Sequence, residues 1–325
     1  HQPRPDSAET PPVIRVLALL LTALGLGAED LSGTLTIFHA GSLAVPMQEM
    51  TAAFQKQHPG VQFRLEAAGS RDCARKVSEL GKPCDILASA DYLVIDALLI
   101  PKHATWNIRF ATNEMCIVYR EQSRRAAELT TATWPDILLD PKVAIGRANP
   151  DADPCGYRAV LTCTLAEQHL KKEGLAAALL AKDVQHIRPK ETDLLALLEI
   201  GAIDYIFIYR SIAQQHGLKY LILPDEINLK QPRLADLYKS VSVEVSGKTP
   251  GSKTTIIGEP IAYGVTIPRG AKNNPAAEAF VAFLLDKNRG LLIMERNGQK
   301  PMVPSSSASY DQIPTSLKRF ASPRG

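Results

Sequence analysis

The sequence repeats one pattern after residue 30: a short apolar run ends in small or hydroxylated residues, and a helical segment follows at once. TLTIF (34–38) leads into HAGS, VQFRLEA (61–67) leads into AGS, and CDILASAD (84–91) ends in small residues. Runs of this length are typical of buried strands, and the spacing of apolar residues after them is helical. Strands that alternate with helices in this way predict an α/β fold with a mostly parallel sheet.

A change of pattern near residue 112 predicts a second lobe. RFATNEMCIVYR is interpreted as one longer strand, Phe110–Tyr119, that carries the chain out of the first lobe. GEPIAYGVTIPRG offers a second long strand that brings it back, and the next helix returns to the first lobe with Ala276, Phe280, Phe283 and Leu284 on one face. Two such crossings would form a hinge. The predicted segments are 31–112 and 261–310 for lobe 1, 113–260 for lobe 2, and 311–325 for a polar, loose C-terminal tail.

The first 30 residues resemble a signal segment. VIRVLALLLTALGLGAED (13–30) holds a short apolar run, preceded by arginines and followed by small residues. It is too short for a membrane span and is typical of a secretory signal, although a buried helix is the alternative. No cysteine follows the run, so a lipoprotein anchor is not indicated. We therefore expect a protein of the periplasm or of the extracytoplasmic face of the cell membrane, after removal of this segment.

Charge and cysteine content exclude several function classes. The formal net charge is only +3 and no dense run of Lys or Arg occurs, which argues against a nucleic-acid partner. The five cysteines are an odd number, so at most two disulfides could form. None of them has the CxxC spacing of a zinc site. No resident cofactor is expected.

Three places where a helix begins suggest an anion site. Gly41-Ser42 and Gly69-Ser70 each follow a strand, and Asp153-Pro154-Cys155 opens a helix with an N-cap residue and a proline in the first turn. Ligands of open α/β sheets bind at the carboxyl ends of strands, where helix amides converge. Plain N-capping is the alternative for each place by itself.

Other candidates have weaker support. Cys155 at a helix N-terminus could be a nucleophile, but no base can be assigned beside it. His39 is the only histidine next to a candidate site, and Asp151 with Asp153 has the spacing of a DxD metal pair, although such pairs are common in loops. The common nucleotide-binding and hydrolase motifs are missing, so no catalytic residue is predicted and the chain is not expected to be an enzyme.

From about residue 33 to about residue 305 the sequence resembles the tungstate- and molybdate-binding proteins of ABC importers, in particular the archaeal-type tungstate-binding branch. The motifs that carry the resemblance are FHAGSLAVPMQEM, EAAGSRDCARKVSEL, CDILASADYLVID, RANPDADPCGYRAV, RPKETDLLALLEIGAIDYIFIYRS and QQHGLKYLILPDEINL. The resemblance implies a two-lobed periplasmic-binding-protein fold (class II type) that closes on one oxyanion. It also implies a membrane permease as partner, and we expect a monomer.

The resemblance also implies the ligand residues. Ser42 and Ser70 match two serines that donate to oxyanion oxygens, Tyr209 matches a tyrosine donor, and Asp153 and Glu191 match two acids. The Cys155 amide is expected as a further donor, while Pro154 starts the helix without an N–H to give. The implied site is Gly41, Ser42, Ser70, Asp153, Pro154, Cys155, Glu191 and Tyr209.

The two acids require a physical explanation, because carboxylates beside a dianion cost roughly several kcal/mol in a partly dry site. The conflict disappears if their oxygens bind the metal of the oxyanion. Molybdenum(VI) and tungsten(VI) can expand from four to six oxygen ligands, which sulfur and phosphorus do not do readily. Asp153 and Glu191 are therefore expected to be metal ligands that also reject sulfate. A binding protein for sulfate or phosphate is the alternative, followed by an enzyme that uses Cys155.

Overall fold

The strands and helices form two α/β halves, each built around its own five-stranded sheet. The computed structural model describes residues 31–324, so the predicted signal segment lies outside the described residues. The strands are β1 Gly33–Ala40, β2 Val61–Ala68, β3 Ile86–Ser89, β4 Ile108–Ala111, β5 Met115–Tyr119, β6 Ile145–Ala148, β7 Ile187–Arg188, β8 Tyr205–Tyr209, β9 Lys219–Ile222, β10 Ser242–Ser246, β11 Lys253–Ile257, β12 Tyr263–Thr266, β13 Ser305–Ser307 and β14 Ala321–Pro323.

Helices follow most of these strands, as the sequence pattern predicts. They are α1 Ala44–Gln57, α2 Ser70–Ser78, α3 Tyr92–Leu98, α4 Trp134–Leu139, α5 Pro154–Leu170, α6 Leu175–Ala181, α7 Asp193–Glu199, α8 Arg210–Gln215, α9 Ala235–Tyr238, α10 Asn274–Leu285 and α11 Gly290–Arg296. Among residues 31–324, no helix is long and apolar enough to cross a membrane.

Both sheets are mixed, so the prediction of a mostly parallel sheet is only half right. The first sheet has the order β2-β1-β3-β12-β4 and the second has the order β7-β6-β8-β5-β9. Pairs formed by successive strand–helix units, such as β1 with β2 and β6 with β7, are parallel. The strands next to the crossings, β12 and β5, pair antiparallel with their neighbours. We call the half around the first sheet lobe 1 and the half around the second sheet lobe 2.

The predicted crossing strands are shorter than expected. The chain leaves the first sheet at the end of β4 and enters the second at the start of β5, and residues 112–114 between them are not in a strand. Asn113 lies at this break. Its side-chain amide donates hydrogen bonds to the hydroxyls of Ser211 and Tyr263, at 2.8 and 3.0 Å. On the way back, β11 ends at Ile257 and β12 begins only at Tyr263. Each crossing is therefore a short irregular segment.

The return helix packs on lobe 1 as predicted. The four residues expected on one face of α10, from Ala276 to Leu284, are all buried. Phe54 of α1 lies against Phe280 and Phe283 with ring centroids 5.3 and 5.6 Å apart, both edge to face. The helices α1 and α10 are far apart in sequence, and each carries apolar residues at helical spacing. These residues join the first and last parts of lobe 1 in one core.

The C-terminal segment is ordered, so the prediction of a loose tail is wrong. Residues 315–320 form a 3₁₀ helix, and β14 pairs in parallel with β13. Leu317 and Phe320 are buried against the core. The charged residues of KRFASPRG suggest a solvated segment, but the apolar side chains of Leu317, just before it, and Phe320, within it, bind it to the core.

All five cysteines are buried thiols without a disulfide partner. Cys155 and Cys163 lie about two turns apart on α5. Burial raises the pKa of each thiol. These residues behave as small apolar side chains of the core.

Candidate functional site

The candidate residues all follow the carboxyl ends of strands that face the boundary between the lobes. In lobe 1, Ser42 comes directly after β1 and Ser70 directly after β2. In lobe 2, Asp153, Glu191 and Tyr209 come after or at the ends of β6, β7 and β8. Strand direction alone therefore brings five residues that are up to 167 positions apart (209 − 42) to one place in the fold.

The two serines do not cap their helices. Ser42 lies in a 3₁₀ turn, Gly41–Leu43, ahead of α1, and its hydroxyl is 2.8 Å from the Tyr263 hydroxyl. Ser70 is the first residue of α2, and its Oγ accepts a hydrogen bond of 2.9 Å from the Ala90 amide of lobe 1. Both are buried. Plain N-capping, the alternative for each Gly-Ser pair, is thus excluded for these side chains.

The two predicted acids are adjacent and fully enclosed. Asp153 accepts one hydrogen bond from the Cys155 amide at 2.8 Å and another from the Glu191 amide at 2.9 Å, one on each carboxylate oxygen. Burial, and then the neighbouring Glu191 carboxyl, raise the pKa of Asp153 well above its usual range. Asp153 is 1% exposed and Glu191 is 0% exposed.

Glu191 reaches from lobe 2 to lobe 1. Its Oε1 accepts a 2.6 Å hydrogen bond from the Ser42 amide, while Oε2 is buried and has no hydrogen-bond partner among the described residues. A buried carboxylate oxygen without a donor is costly and unusual in a native protein. It is the feature that most strongly marks this place as a ligand site.

Tyr209 belongs to the same network. Its hydroxyl accepts a 2.8 Å hydrogen bond from Arg158 Nη1. The same Nη1 also donates to the Ala90 carbonyl at 2.6 Å. Since Ala90 donates its amide to Ser70, one strand end connects the lobe 1 serine to the lobe 2 tyrosine. The Tyr209 hydroxyl keeps its own hydrogen and can donate it.

The lobes approach each other most closely at two glycines. A Cβ on Gly41 would lie 2.7 Å from Glu191 Oε2, and one on Gly69 would lie 2.8 Å from the Pro189 carbonyl and closer still to that of Ala152. Real Cβ atoms do not come this near to oxygen, so only glycine permits this degree of closure. Gly41, predicted as a site residue, therefore provides space next to the unpartnered oxygen.

The contacts of Cys155 differ from the two roles considered for it. Its amide, which the family resemblance implies as a donor to the anion, donates in this structure to the N-capping carboxylate of Asp153 at 2.8 Å. The Cys155 thiol does not have the surroundings of an activated nucleophile: it is fully buried in the core, lies 3.9 Å from the Phe207 carbonyl, and has a pKa that burial raises. Pro154 occupies the first turn of α5, as predicted.

The remaining candidates are structural. His39 is buried in β1, with Nδ1 2.8 Å from the Ala40 carbonyl, and burial lowers its pKa. Asp151 and Asp153 have different partners and do not form a metal pair: Asp151 accepts from the Ser246 amide at 2.6 Å, whereas Asp153 accepts from the amides of Cys155 and Glu191. Among residues 31–324, no group of three or more His, Cys, Asp or Glu side chains is arranged to hold a metal ion.

Three residues that were not predicted also belong to the site: Arg158, Tyr263 and Asp91. Arg158 is 3% exposed and forms an ion pair with Asp91 of lobe 1, Nη2 to Oδ2, at 3.4 Å. Its position four residues after Pro154, on the same face of α5 as the helix start, was a usable signal. Tyr263, in contrast, lies in a strand whose pattern gives no hint that its hydroxyl meets Ser42.

The model of the family described as "Bacterial extracellular solute-binding protein" matches residues 35–298. The chain belongs to this family. An uncharacterized solute-binding protein of Petrotoga mobilis is 46% identical over 90% of this chain and 91% of its own length. The "Molybdate/tungstate-binding protein WtpA" of Pyrococcus abyssi is 37% identical over 94% of this chain and 95% of its own length.

Among solved structures, the periplasmic molybdate-binding protein of Azotobacter vinelandii superimposes with a TM-score of 0.60 over 82% of this chain and 98% of its own length, at 16% identity. This likeness confirms the predicted two-lobed periplasmic-binding-protein fold of the solute-binding protein. The family resemblance inferred from the motifs is confirmed as well, because relatives bearing that name align over most of the chain.

Proposed function

We propose that this solute-binding protein captures tungstate or molybdate between its lobes and delivers the anion to an ABC permease. The observation that carries the proposal is the pair of buried carboxyls, Asp153 and Glu191, with Glu191 Oε2 left without a donor. A site made for sulfate or phosphate would surround the anion with donors. One acid could accept the proton of a protonated phosphate, but two adjacent acids favour an anion whose central atom accepts further oxygen ligands.

In this proposal the residues divide into two groups. The hydroxyls of Ser42, Ser70 and Tyr209 donate hydrogen bonds to the anion oxygens, and Asp153 and Glu191 bind the metal. Because the Glu191 carboxylate now occupies the Ser42 amide, the arriving anion would take over that donor and leave Glu191 free to turn toward the metal. The close approach at Gly41 and Gly69 means that the lobes must part for the anion to enter.

Three further features of the proposal follow from the family and the composition. The protein acts as a monomer outside the cytoplasm, after removal of an N-terminal signal segment. It binds its ligand without a catalytic step, and the alternative nucleophile, the Cys155 thiol, is buried and has a pKa that burial raises. It has no nucleic-acid partner, which agrees with a formal net charge of only +3.

Calorimetric titration with tungstate, molybdate, sulfate and phosphate tests this function. We expect tight binding of tungstate or molybdate and no measurable heat with sulfate or phosphate. The variants Glu191→Gln and Asp153→Asn should each bind about tenfold more weakly or worse, because an amide is a poorer metal ligand than a carboxylate. Glu199→Gln, an exposed position on α7, is the matched control and should bind as the wild type does. Equal affinity for sulfate, or unchanged binding by both site variants, would contradict the proposal.

A further inference from the structure

A second set of polar contacts joins the lobes beside the candidate site and touches none of its ligand residues. Arg71 and Arg75 lie one turn apart on α2 of lobe 1 and extend toward lobe 2. There they meet the loop after β6, at Asp151, and the end of β10, at Ser246. We call these four residues the interlobe clasp.

The contacts of the clasp are direct hydrogen bonds from guanidinium groups. Arg71 Nε donates to the Asp151 carbonyl at 3.1 Å, and Arg75 Nη1 donates to the same oxygen at 2.7 Å. Arg71 Nη2 donates to the Ser246 carbonyl, and Arg75 Nη2 donates to the Ser246 hydroxyl at 2.6 Å. Each arginine therefore donates to both Asp151 and Ser246 of the opposite lobe.

Asp151 organises the acceptor side. Its carboxylate accepts the Ser246 amide at 2.6 Å, which fixes the loop against the end of β10 and brings the two carbonyl oxygens together. The hydrogen bond from Ser246 lowers the pKa of Asp151, so the carboxylate stays charged at neutral pH. The first aspartate of DADP, which the ligand site does not use, thereby gains a role.

Burial makes the clasp specific to the closed arrangement. Arg71 is 1% exposed, and among the described residues no carboxylate lies within ion-pair distance of its guanidinium. If the lobes part, this group returns to water. On closure the guanidinium exchanges hydrogen bonds with water for hydrogen bonds with carbonyls, so the net free energy that stabilises the closed state is modest. A protein that must release its anion requires a closed state that can open again.

We propose that Arg71, Arg75 and Asp151 are positioning residues that set the lifetime of the closed, anion-bound state without contacting the anion. The inference rests on the proposed oxyanion function for its kinetic test. It separates the selection of the anion, which depends on Asp153 and Glu191, from its retention, which depends on the clasp.

Stopped-flow dissociation of tungstate from the full protein tests the clasp. The variant Arg71→Met/Arg75→Met keeps the helical propensity and the apolar stem of both side chains but removes the interlobe donors. The loss of such hydrogen bonds, which involve a charged group, should make dissociation roughly tenfold to hundredfold faster and leave the association rate nearly unchanged. Arg64→Met, an exposed arginine of β2 in the same lobe, is the control and should dissociate as the wild type does.

Two further measurements separate retention from general destabilisation. Without anion, the double variant should melt at the wild-type temperature, and Arg75→Lys should recover part of the slow dissociation. Wild-type dissociation rates in the double variant would overturn the inference, as would a lower melting temperature that accounts for the whole change. If the wild type binds sulfate or phosphate instead of tungstate and molybdate, the proposed function fails, and the same dissociation assay with that anion tests the clasp. Faster release from the double variant would support the clasp, and unchanged release would refute it.

Discussion

Replacement of Gly69 by alanine should weaken anion binding without unfolding either lobe. The backbone at Gly69 has φ −56° and ψ 138°, a conformation that alanine adopts without strain. The added Cβ matters only when the lobes are closed, because it would then lie 2.8 Å from the Pro189 carbonyl and closer to that of Ala152. The substitution therefore acts selectively against closure.

The size of the effect follows from the contacts that the methyl group disrupts. The amides of Arg71 and Asp72 both donate across the lobes to the Ala152 carbonyl, at 3.0 and 3.3 Å. If the clash separates these groups, two interlobe hydrogen bonds of about 1 kcal/mol each are lost. The sum of about 2 kcal/mol corresponds to a roughly thirtyfold weaker affinity for tungstate.

Calorimetry and scattering together test this reasoning. Gly69→Ala should bind about thirtyfold more weakly, melt like the wild type without ligand, and show a smaller ligand-induced decrease in radius of gyration. Gly270→Ala is the matched control, because a Cβ there meets no atom within 4 Å. Wild-type affinity in Gly69→Ala would refute the account of closure given by the structure.

Three other perturbations have defined outcomes. Arg158→Met should lower the free energy of unfolding by about 3 kcal/mol or more in urea titrations, because it leaves the buried Asp91 carboxylate without its guanidinium partner; a loss below 1 kcal/mol would mean that the pair contributes little. Burial, and then the nearby Asp91, raise the pKa of Glu259 to about 7, so its protonated form is favoured on folding and its stabilising contribution is lost as the pH rises from about 4.5 to 7. Unfolding free energies measured across that range should fall less steeply in Glu259→Gln, and parallel curves would contradict the assignment. The thiols, Cys155 included, should not react with an aromatic disulfide reagent until the protein unfolds, and rapid labelling of the native protein would contradict their burial.

The sequence pattern predicted the two halves because strand–helix units are encoded locally. Apolar runs such as the buried β8 and the helical spacing in α10 identify their elements without knowledge of their neighbours. The length of the crossing strands was overestimated, because the run Phe110–Tyr119 combines the end of one strand with the whole of another. Its two ends are buried in different sheets, and the break at Asn113 depends on partners from residues 211 and 263.

The candidate site was predictable where residue type and strand order suffice. Ser42, Ser70 and Asp153 follow strand ends and precede helices, so their placement at one edge could be inferred from the pattern, whereas Glu191 and Tyr209 were implied only by the family resemblance. The role of the Cys155 amide was not predictable, because a helix-terminal amide can serve either a ligand or the N-cap, and here Asp153 takes it. Arg158 and Tyr263 were missed because their importance comes from interlobe contacts that no local pattern contains.

The central claim is that Asp153 and Glu191 bind the metal of the anion, and X-ray absorption at the tungsten edge of the tungstate-loaded protein tests it most directly. We expect a six-coordinate spectrum, with four short tungsten–oxygen distances and two longer ones that are lost in Asp153→Asn/Glu191→Gln. A spectrum identical to that of four-coordinate tungstate in solution would contradict it.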